Sequence, residues 1–289
     1  MLTLVIAVLA ALCNAVASVA QRLVARKVPN SESFRPVMLL DLARHRTWWI
    51  GIGGVIGGAV CQAAALSSGR ISMVQPILAT ELPLTLLIAA AVFHRGFGRR
   101  AAIGALCLTV GVAVLLVSVS PSGGSSTAPG TSWLVAGIAT AVFLGGLVCA
   151  GLMTRAGPRA ALLGTATATG FAFTAALMKE AMGKLAIGIV PLLTTWQTYA
   201  AIGVGIGTLF LLQNALQAGT LAASQPAVTV GDALLSIIYG VTLYGEELRL
   251  GMWTIPAIAG LALISAGAVE LSRSPLVTGQ EHKGDMAPT

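Results

Sequence analysis

Residues 224–243 read S-Q-P-A-V-T-V-G-D-A-L-L-S-I-I-Y-G-V-T-L, a run of 20 residues in which Asp232 carries the single charged side chain. An α-helix needs about 20 mainly apolar residues to cross the hydrocarbon core of a bilayer. The stretch therefore predicts a membrane-spanning helix with a carboxyl group near its middle. Such a group costs about 2.5 to 3.5 kcal/mol even on a lenient insertion scale, so it needs a partner or a functional reason.

A second stretch, residues 71–93, repeats this arrangement and places Glu81 at nearly the same depth. The chain reads A-L-S-S-G-R-I-S-M-V-Q-P from Ala65 and A-L-Q-A-G-T-L-A-A-S-Q-P from Ala215, 150 positions later. Four glycines of the following segments continue the similarity, Gly104 with Gly260 and Gly111 with Gly267. The sequence therefore predicts an internal duplication.

The composition is that of an integral membrane protein. Of 289 residues, 56% are hydrophobic and only 9% are charged, whereas soluble domains carry roughly 25% charged residues. The net charge of +7 could indicate a nucleic-acid partner, but the basic residues stand at the ends of apolar segments, where the positive-inside rule accounts for them. The four cysteines lie inside apolar segments without metal-ligand spacing. We therefore expect the lipid bilayer as a partner, no nucleic acid and no cofactor.

Nine segments are long and apolar enough to span the membrane, which predicts an all-α fold. The stretch 185–195 is too short for a further span and either extends the seventh or lies at the interface. The nine predicted spans are 2–23, 48–66, 71–93, 101–119, 132–153, 160–178, 197–216, 222–243 and 252–271.

The orientation follows from the Lys and Arg residues. With the N-terminus outside, 13 of the 17 lie on the inner side of an inner membrane, which places the C-terminus in the cytoplasm. The duplicated spans are the third and the eighth, so the two copies cross in opposite directions. This predicts an inverted-topology repeat with four plus five spans. The predicted divisions are a first half (1–120), a Gly/Ser/Pro linker (121–131), a second half (132–273) and a disordered tail (274–289).

Five polar residues share one face of the eighth span because their spacings are 4, 3, 4 and 3. They are Gln225, Thr229, Asp232, Ser236 and Tyr239. A polar stripe of this length cannot face lipid, since its groups would go unpaired. It predicts either a water-filled cavity or hydrogen bonds between helices. The central carboxyl group favours the cavity, with Glu81, Gln75 and Gln62 contributing from the second and third spans.

Prolines add a second signal, because proline cannot donate a backbone hydrogen bond to the carbonyl four residues earlier. Pro76, Pro83 and Pro226 would free the carbonyls of Ser72, Ala79 and Ala222, which could then bind a cation. Desolvation disfavours the charged form of a carboxyl group, so Glu81 and Asp232 could exchange a proton for a substrate as the halves move. These patterns predict a secondary transporter (permease) for a small metabolite or a cation, which is proton-coupled and works by alternating access.

The chain resembles the drug/metabolite transporter superfamily, whose EamA-like halves are inverted repeats. Tyr-Gly-Glu-Glu-Leu (244–248) with Pro226 matches the turn and the proline of that pattern, whereas His-Arg-Gly-Phe (94–97) departs from it. Superfamily members usually have ten spans; here loop 24–47 replaces one. The resemblance implies a permease with its substrate site between the halves.

A nine-span arrangement is also found in the NIPA-like branch, which is associated with magnesium. Trp48, Trp49 and Gly51, followed by Gly58, the Ala64–Ala65 pair and Pro76, are similar to the run of that branch. Ala59, Gln62 and Arg95 replace its Glu, its Asn and the acid of its turn. This resemblance implies transport of a divalent cation, which here would depend on Glu81 and Asp232.

Two other classes stay open. A non-transporting membrane scaffold would pair Glu81 with Asp232 in a dry interior, and a homodimer is compatible with either class. An intramembrane aspartyl protease also needs two acids, but Val-Gly-Asp (230–232) and a glutamate do not match its usual pair, and H-E-x-x-H is absent. We therefore do not expect an enzyme.

Overall fold

The computed structural model describes residues 2–25, 46–92, 98–154, 156–185, 187–218, 221–249 and 251–273. Within these ranges, nine spans are long and apolar enough to cross a bilayer, which confirms the predicted all-α membrane fold. The helices are α1 (Leu2–Ala25), α2 (Arg46–Ser68), α3 (Ile71–Leu78), α4 (Glu81–Val92), α5 (Arg99–Val119), α6 (Gly130–Met153), α7 (Ala156–Leu185), α8 (Ile189–Thr194), α9 (Trp196–Ala218), α10 (Leu221–Tyr244) and α11 (Thr254–Ser272). Most of loop 24–47, residues 94–97 and the tail 274–289 lie outside the described residues.

The third span is broken into α3 and α4 by a turn at Ala79 and Thr80. Pro83 cannot donate to the carbonyl of Ala79, as its sequence position predicts. That carbonyl is nevertheless paired, because the amide of Leu82 donates to it at 3.3 Å. The prediction of a free Ala79 carbonyl is therefore wrong. The break makes Glu81 the first residue of α4, in the middle of the span.

Helix α7 is longer than its predicted span. It continues to Leu185 instead of ending at residue 178, so that Lys179 and Lys184, which were counted in a loop, are helical. The undecided stretch 185–195 contains a separate short helix, α8, and α9 begins only at Trp196. The extra turns of α7 bring two charged side chains, Lys179 and Glu180, into the protein interior.

The outer surface of the bundle is apolar, as lipid contact requires. Large side chains such as Val142, Phe210 and Ile255 are 70%, 73% and 76% exposed. Trp133, which its position at a span end predicts to be an interfacial anchor, is instead buried. Its ring packs edge-on against Phe173, Trp196 and Tyr244. It therefore belongs to the core that joins α6, α7, α9 and α10.

Glycines allow α5 and α11 to pack closely. A Cβ atom added at Gly260 would lie 2.8 Å from the amide nitrogen of Leu115 and 2.9 Å from the carbonyl oxygen of Gly111. One added at Gly111 would in turn lie 2.8 Å from the carbonyl oxygen of Gly260. Gly104 and Gly267 approach each other in the same reciprocal way. The two helices thus contact each other through two pairs of glycines, Gly104 with Gly267 and Gly111 with Gly260.

We expect Gly260→Ala to lower the free energy of unfolding by about 1 to 3 kcal/mol, because the new methyl group meets backbone atoms that cannot turn away. Gly137→Ala is the matched control, since nothing lies within 4 Å of its added Cβ. That variant should be neutral or slightly stabilising, by up to about 1 kcal/mol, from helix propensity. Thermal unfolding in detergent would measure both, and equal effects would contradict the close α5–α11 packing.

The predicted linker is tied to the second half of the chain. Ser122–Gly123 (β1) pairs antiparallel with Glu246–Glu247 (β2), the turn that follows α10. The amide of Ser125 also donates to the carbonyl of Tyr244 at 2.8 Å. These bonds fix the position of the turn, and with it the position of Glu246, at the end of the bundle where α10 terminates.

Candidate functional site

A cavity of about 370 Å³ lies among the helices, and it is lined by residues of α1, α2, α3, α4, α7, α9 and α10. It reaches from Gln75, which lies one turn into α3, to Leu216 near the end of α9 and Gln225 near the start of α10. Its apolar wall includes Leu78, Phe171 and Leu212. Its polar lining consists of Asn14, Gln62, Gln75, Glu81, Gln225, Thr229 and Asp232.

The cavity thus brings together six of the eight residues that the sequence predicts as a site. Glu81 and Asp232 both line it, although they are 151 positions apart. Gln75 and Gln225, which align in the similar stretches from Ala65 and Ala215, also line this cavity, toward its opposite ends. The assignment of these residues to a functional site stays a prediction.

Glu81 is held by the first helix. The hydroxyl of Ser18 donates to its Oε1 at 3.4 Å, and the side chain of Asn14 is a further hydrogen-bond partner. Sequence reasoning missed these two residues of α1. Their spacing of four within an apolar helix, which places both on one face, is the signal that could have found them.

Two buried polar side chains on the lining are incompletely hydrogen-bonded within the described part of the chain. Nε2 of Gln75, a donor, has no partner there. The Asp232 carboxyl group interacts with the Ser236 side chain, but its Oδ1, an acceptor, has no close partner. Leaving a buried polar group unpaired costs about 1 to 3 kcal/mol, and more when the group is charged. A bound polar solute would recover this energy, so these atoms are the candidate contacts for a ligand.

The charge of the lining has one sign. Among the described residues, it contains two carboxyl groups and several carboxamides, and no Lys, Arg or His. A solute with a carboxylate or phosphate would find no cationic partner there, whereas a cation would find two acids. The described residues contain no cluster of three or more His, Cys, Asp or Glu that could hold a metal ion. Magnesium would have to keep several waters and rely on Glu81, Asp232 and amide oxygens.

The polar stripe of α10 does not line one cavity along its whole length. Ser236 is fully buried beyond the cavity. Tyr239 lines a separate apolar groove of about 600 Å³ between α6, α7 and α10. Its hydroxyl lies 2.6 Å from Oγ1 of Thr140, which itself donates to the carbonyl of Ala136, so Tyr239 is the donor. Tyr239 thus links α10 to α6 by a hydrogen bond.

A second group of charges is buried at the end of α10. The position of Glu246 and Glu247 after the eighth span predicts that both are solvated in a loop. This prediction is wrong for Glu246, which is 2% exposed, while Glu247 is exposed. The left-handed backbone of Gly245 (φ 63°) turns the chain back onto the bundle. Lys179 of α7 forms an ion pair with Oε1 of Glu246 at 2.8 Å.

Glu246 also caps α3. The amides of Ile71 and Ser72 donate to its carboxylate at 2.9 and 3.2 Å, and so does the hydroxyl of Ser72. Helix α3 has no acidic residue in its first turn, and the side chain of its N-cap residue, Arg70, makes no capping hydrogen bond. The sequence therefore leaves the free backbone amides at the start of α3 without a local capping side chain. This is the signal that predicts a hydrogen-bond acceptor from another part of the chain.

The comparisons with known proteins name no function. The chain is 26% identical over 277 residues to an uncharacterized protein of Corynebacterium glutamicum, and the similarity covers 95% of this chain and 96% of that relative. It is therefore not confined to one half of the chain. No family model matches the chain. No solved structure matches it either.

Proposed function

We propose that this protein is a secondary transporter, a permease that carries a small cationic solute by alternating access between two inverted repeats. The observation that carries the proposal is the central cavity, where carboxyl groups and carboxamides from both halves of the chain meet within a nine-span bundle. Substrate sites of secondary transporters lie near the midplane, at the interface of their repeats, and are often formed by broken helices. The α3–α4 break beside Glu81 is such a feature.

The packing of α5 against α11 supports the inverted repeat. A two-fold axis makes contacts reciprocal, so that residue i of one copy meets residue j of the other and the reverse. The contacts of Gly104 with Gly267 and of Gly111 with Gly260 follow this rule for the pairs that the sequence equates. Gln75 and Gln225, which the sequence also equates, line opposite ends of one cavity, and this is a second agreement. Membership of the drug/metabolite transporter superfamily is part of the same proposal.

The substrate class follows from the lining. Two acids, with no basic residue in the described part of the lining, favour a protonated amine or another small cation, and the carboxamides can hydrogen-bond its polar groups. Asp232 and Glu81 are proposed to bind the cation or to release protons in exchange for it. The main alternative is a divalent cation of the NIPA-like type, which the same two acids would bind. We place the protein in the inner membrane with its N-terminus outside, on the basis of the Lys and Arg distribution.

Flux into proteoliposomes loaded with a pH-sensitive dye would test the proposal. The panel should pair amines with carboxylates of similar size and should include Mg²⁺, with protein-free liposomes as the control. We expect uptake of at least one amine with proton movement in the opposite direction, and none of its carboxylate counterpart. Uptake of Mg²⁺ without proton movement would favour the divalent-cation alternative. If none of the compounds in the panel is taken up, the result would favour the non-transporting scaffold.

A further inference from the structure

We infer that Glu246 and Lys179 form a charged lock that closes the cavity at the end of the bundle where α10 terminates. In this inference, the cavity opens to that side only when the Glu246 carboxylate leaves the start of α3. The inference rests on the proposed function in one respect, because it takes the cavity to be the path of the solute.

The lock joins elements of both halves of the chain. The Glu246 carboxylate accepts two backbone amides and one hydroxyl from α3 in the first half and the ammonium group of Lys179 from α7 in the second. The side chains of Lys179 and Glu246 are 7% and 0% exposed. A carboxylate at a helix N-terminus also interacts favourably with the helix dipole. A single side chain thus connects α3 to the helices that face it.

Lys179 is itself fixed in place. Its ammonium group lies 4.5 Å from the centroid of the Tyr244 ring, and the hydroxyl of Tyr244 donates to the carbonyl of Ala176 at 2.6 Å. Arg70, the residue before α3, donates from Nε to the carbonyl of Gly123 at 3.1 Å. The ion pair is therefore held in a packed frame at this end of the bundle.

Two helix faces lead from the cavity directly to the lock. On α10, Asp232, Ser236 and Gly240 are spaced by four and share a face, and this distance of eight residues corresponds to about 12 Å. On α3, Gln75 lines the cavity, and Ser72, three residues earlier, contacts Glu246.

Between the cavity and the lock, α10 is closely packed at two positions. A Cβ atom added at Gly240 would overlap both the Ser72 hydroxyl and the Glu246 carboxylate. Ser236 is 0% exposed, and its side chain interacts with the Asp232 carboxyl group. The path from Asp232 to this end of the bundle is therefore closed at Ser236 and Gly240.

The two halves differ in the sequence of this turn. The second half has Tyr-Gly-Glu-Glu-Leu at 244–248, whereas the turn after the third span reads His-Arg-Gly-Phe at 94–97 and has no acid. Its structure lies outside the described residues. At the level of sequence, the turn after the third span therefore lacks the carboxylate that Glu246 supplies after the eighth. We therefore expect the form closed at the Glu246 end to be the more stable one.

Cysteine labelling tests the lock without requiring transport. Ser236→Cys is introduced after the four native cysteines are replaced by Ala, and a small membrane-impermeant thiol reagent is applied to each face separately. Ser122→Cys, in an exposed position, identifies the face on which the Glu246 end lies. We expect Glu246→Gln to raise the labelling rate of Ser236→Cys from that face roughly tenfold or more, because the lost bonds involve a charged group.

Glu247→Gln is the matched control, as it removes the exposed neighbouring acid from the same strand, and it should leave labelling unchanged. If Glu246→Gln is not recovered in membranes, Ser72→Ala removes one donor and should give a smaller increase. A charge swap (Lys179→Glu with Glu246→Lys) should not restore protection, because the Ile71 and Ser72 amides would then face an ammonium group.

Equal labelling of Ser236→Cys with and without Glu246→Gln would overturn the lock. Full protection in the charge-swap variant would show that an ion pair alone closes the cavity and would overturn the part assigned to the start of α3. These results are separable from the proposed function. If labelling is unchanged by Glu246→Gln in a protein that transports amines, the lock is contradicted and the proposed transport function is supported. If Glu246→Gln increases labelling in a protein that transports none of the compounds tested, the lock is supported and the proposed transport function is contradicted.

Discussion

Asp232→Asn is expected to lower uptake of the transported cation strongly and to leave the protein folded in the membrane. The amide has nearly the shape of the carboxyl group but no charge, and it cannot release a proton. Hydrogen bonds to charged groups contribute about 1.5 to 3 kcal/mol, so the loss at a cation site corresponds to roughly a 10- to 100-fold lower uptake rate. Any proton movement coupled to the solute should be lost with it. Initial uptake rates in proteoliposomes, with pH recorded in parallel, measure both effects.

Glu270→Gln is the control for this experiment. Glu270 lies near the end of α11, outside the cavity lining, so its neutralisation should leave uptake within about twofold of the wild type on the ordinary scale of surface substitutions. Expression and elution volume in detergent should match for the two variants. Undiminished uptake by Asp232→Asn would remove Asp232 from the site and leave Glu81 as the remaining carboxyl candidate.

Lys179→Met should lower the free energy of unfolding by about 3 to 5 kcal/mol, because it leaves the buried Glu246 carboxylate without its cation. The methionine side chain fills much of the space of the lysine stem, so the effect reports the charge more than the packing. Combining it with Glu246→Gln should recover part of the loss, since no uncompensated charge then remains. Chemical unfolding in detergent across the four proteins gives the coupling energy.

Lys184→Met is the matched control on the same helix. Lys184 is 30% exposed and lies 3.9 Å from Glu180, so its ion pair should contribute only about 0 to 1 kcal/mol. Similar losses for Lys179→Met and Lys184→Met would show that Glu246 gains its stabilisation from α3 alone. A double variant no more stable than Lys179→Met would contradict the account of an uncompensated charge.

Features that depend on local sequence were predictable. The apolar segments gave the nine spans, since hydropathy over 20 residues reflects the bilayer and not the tertiary structure. The spacing of Gln225, Thr229 and Asp232 placed them on one face of α10, and the cavity lies along that face. Pro83 indicated a disturbed third span, and the helix break occurs there.

Features that depend on which helices meet were not predictable. The position of Glu246 follows from a chain reversal at Gly245 and from its contact with α3. In that contact, Glu246 accepts a hydrogen bond from Ser72, which lies 174 residues earlier in the chain. Spacing alone also assigned Ser236 and Tyr239 to the cavity, whereas α6 and Thr140 pack against that part of α10. Periodicity identifies a helix face, but the neighbour of that face is decided by packing.

The central claim is that the cavity is a water-filled path for a solute, and accessibility of Thr229 tests it most directly. Thr229→Cys, in a protein without other cysteines, would be exposed to a small membrane-impermeant thiol reagent from each face, with and without a transported amine. We predict labelling from the face opposite the Glu246 end and slower labelling when the amine is present. No labelling from either face, in a protein that is folded and correctly inserted, would show a dry interior and contradict the account.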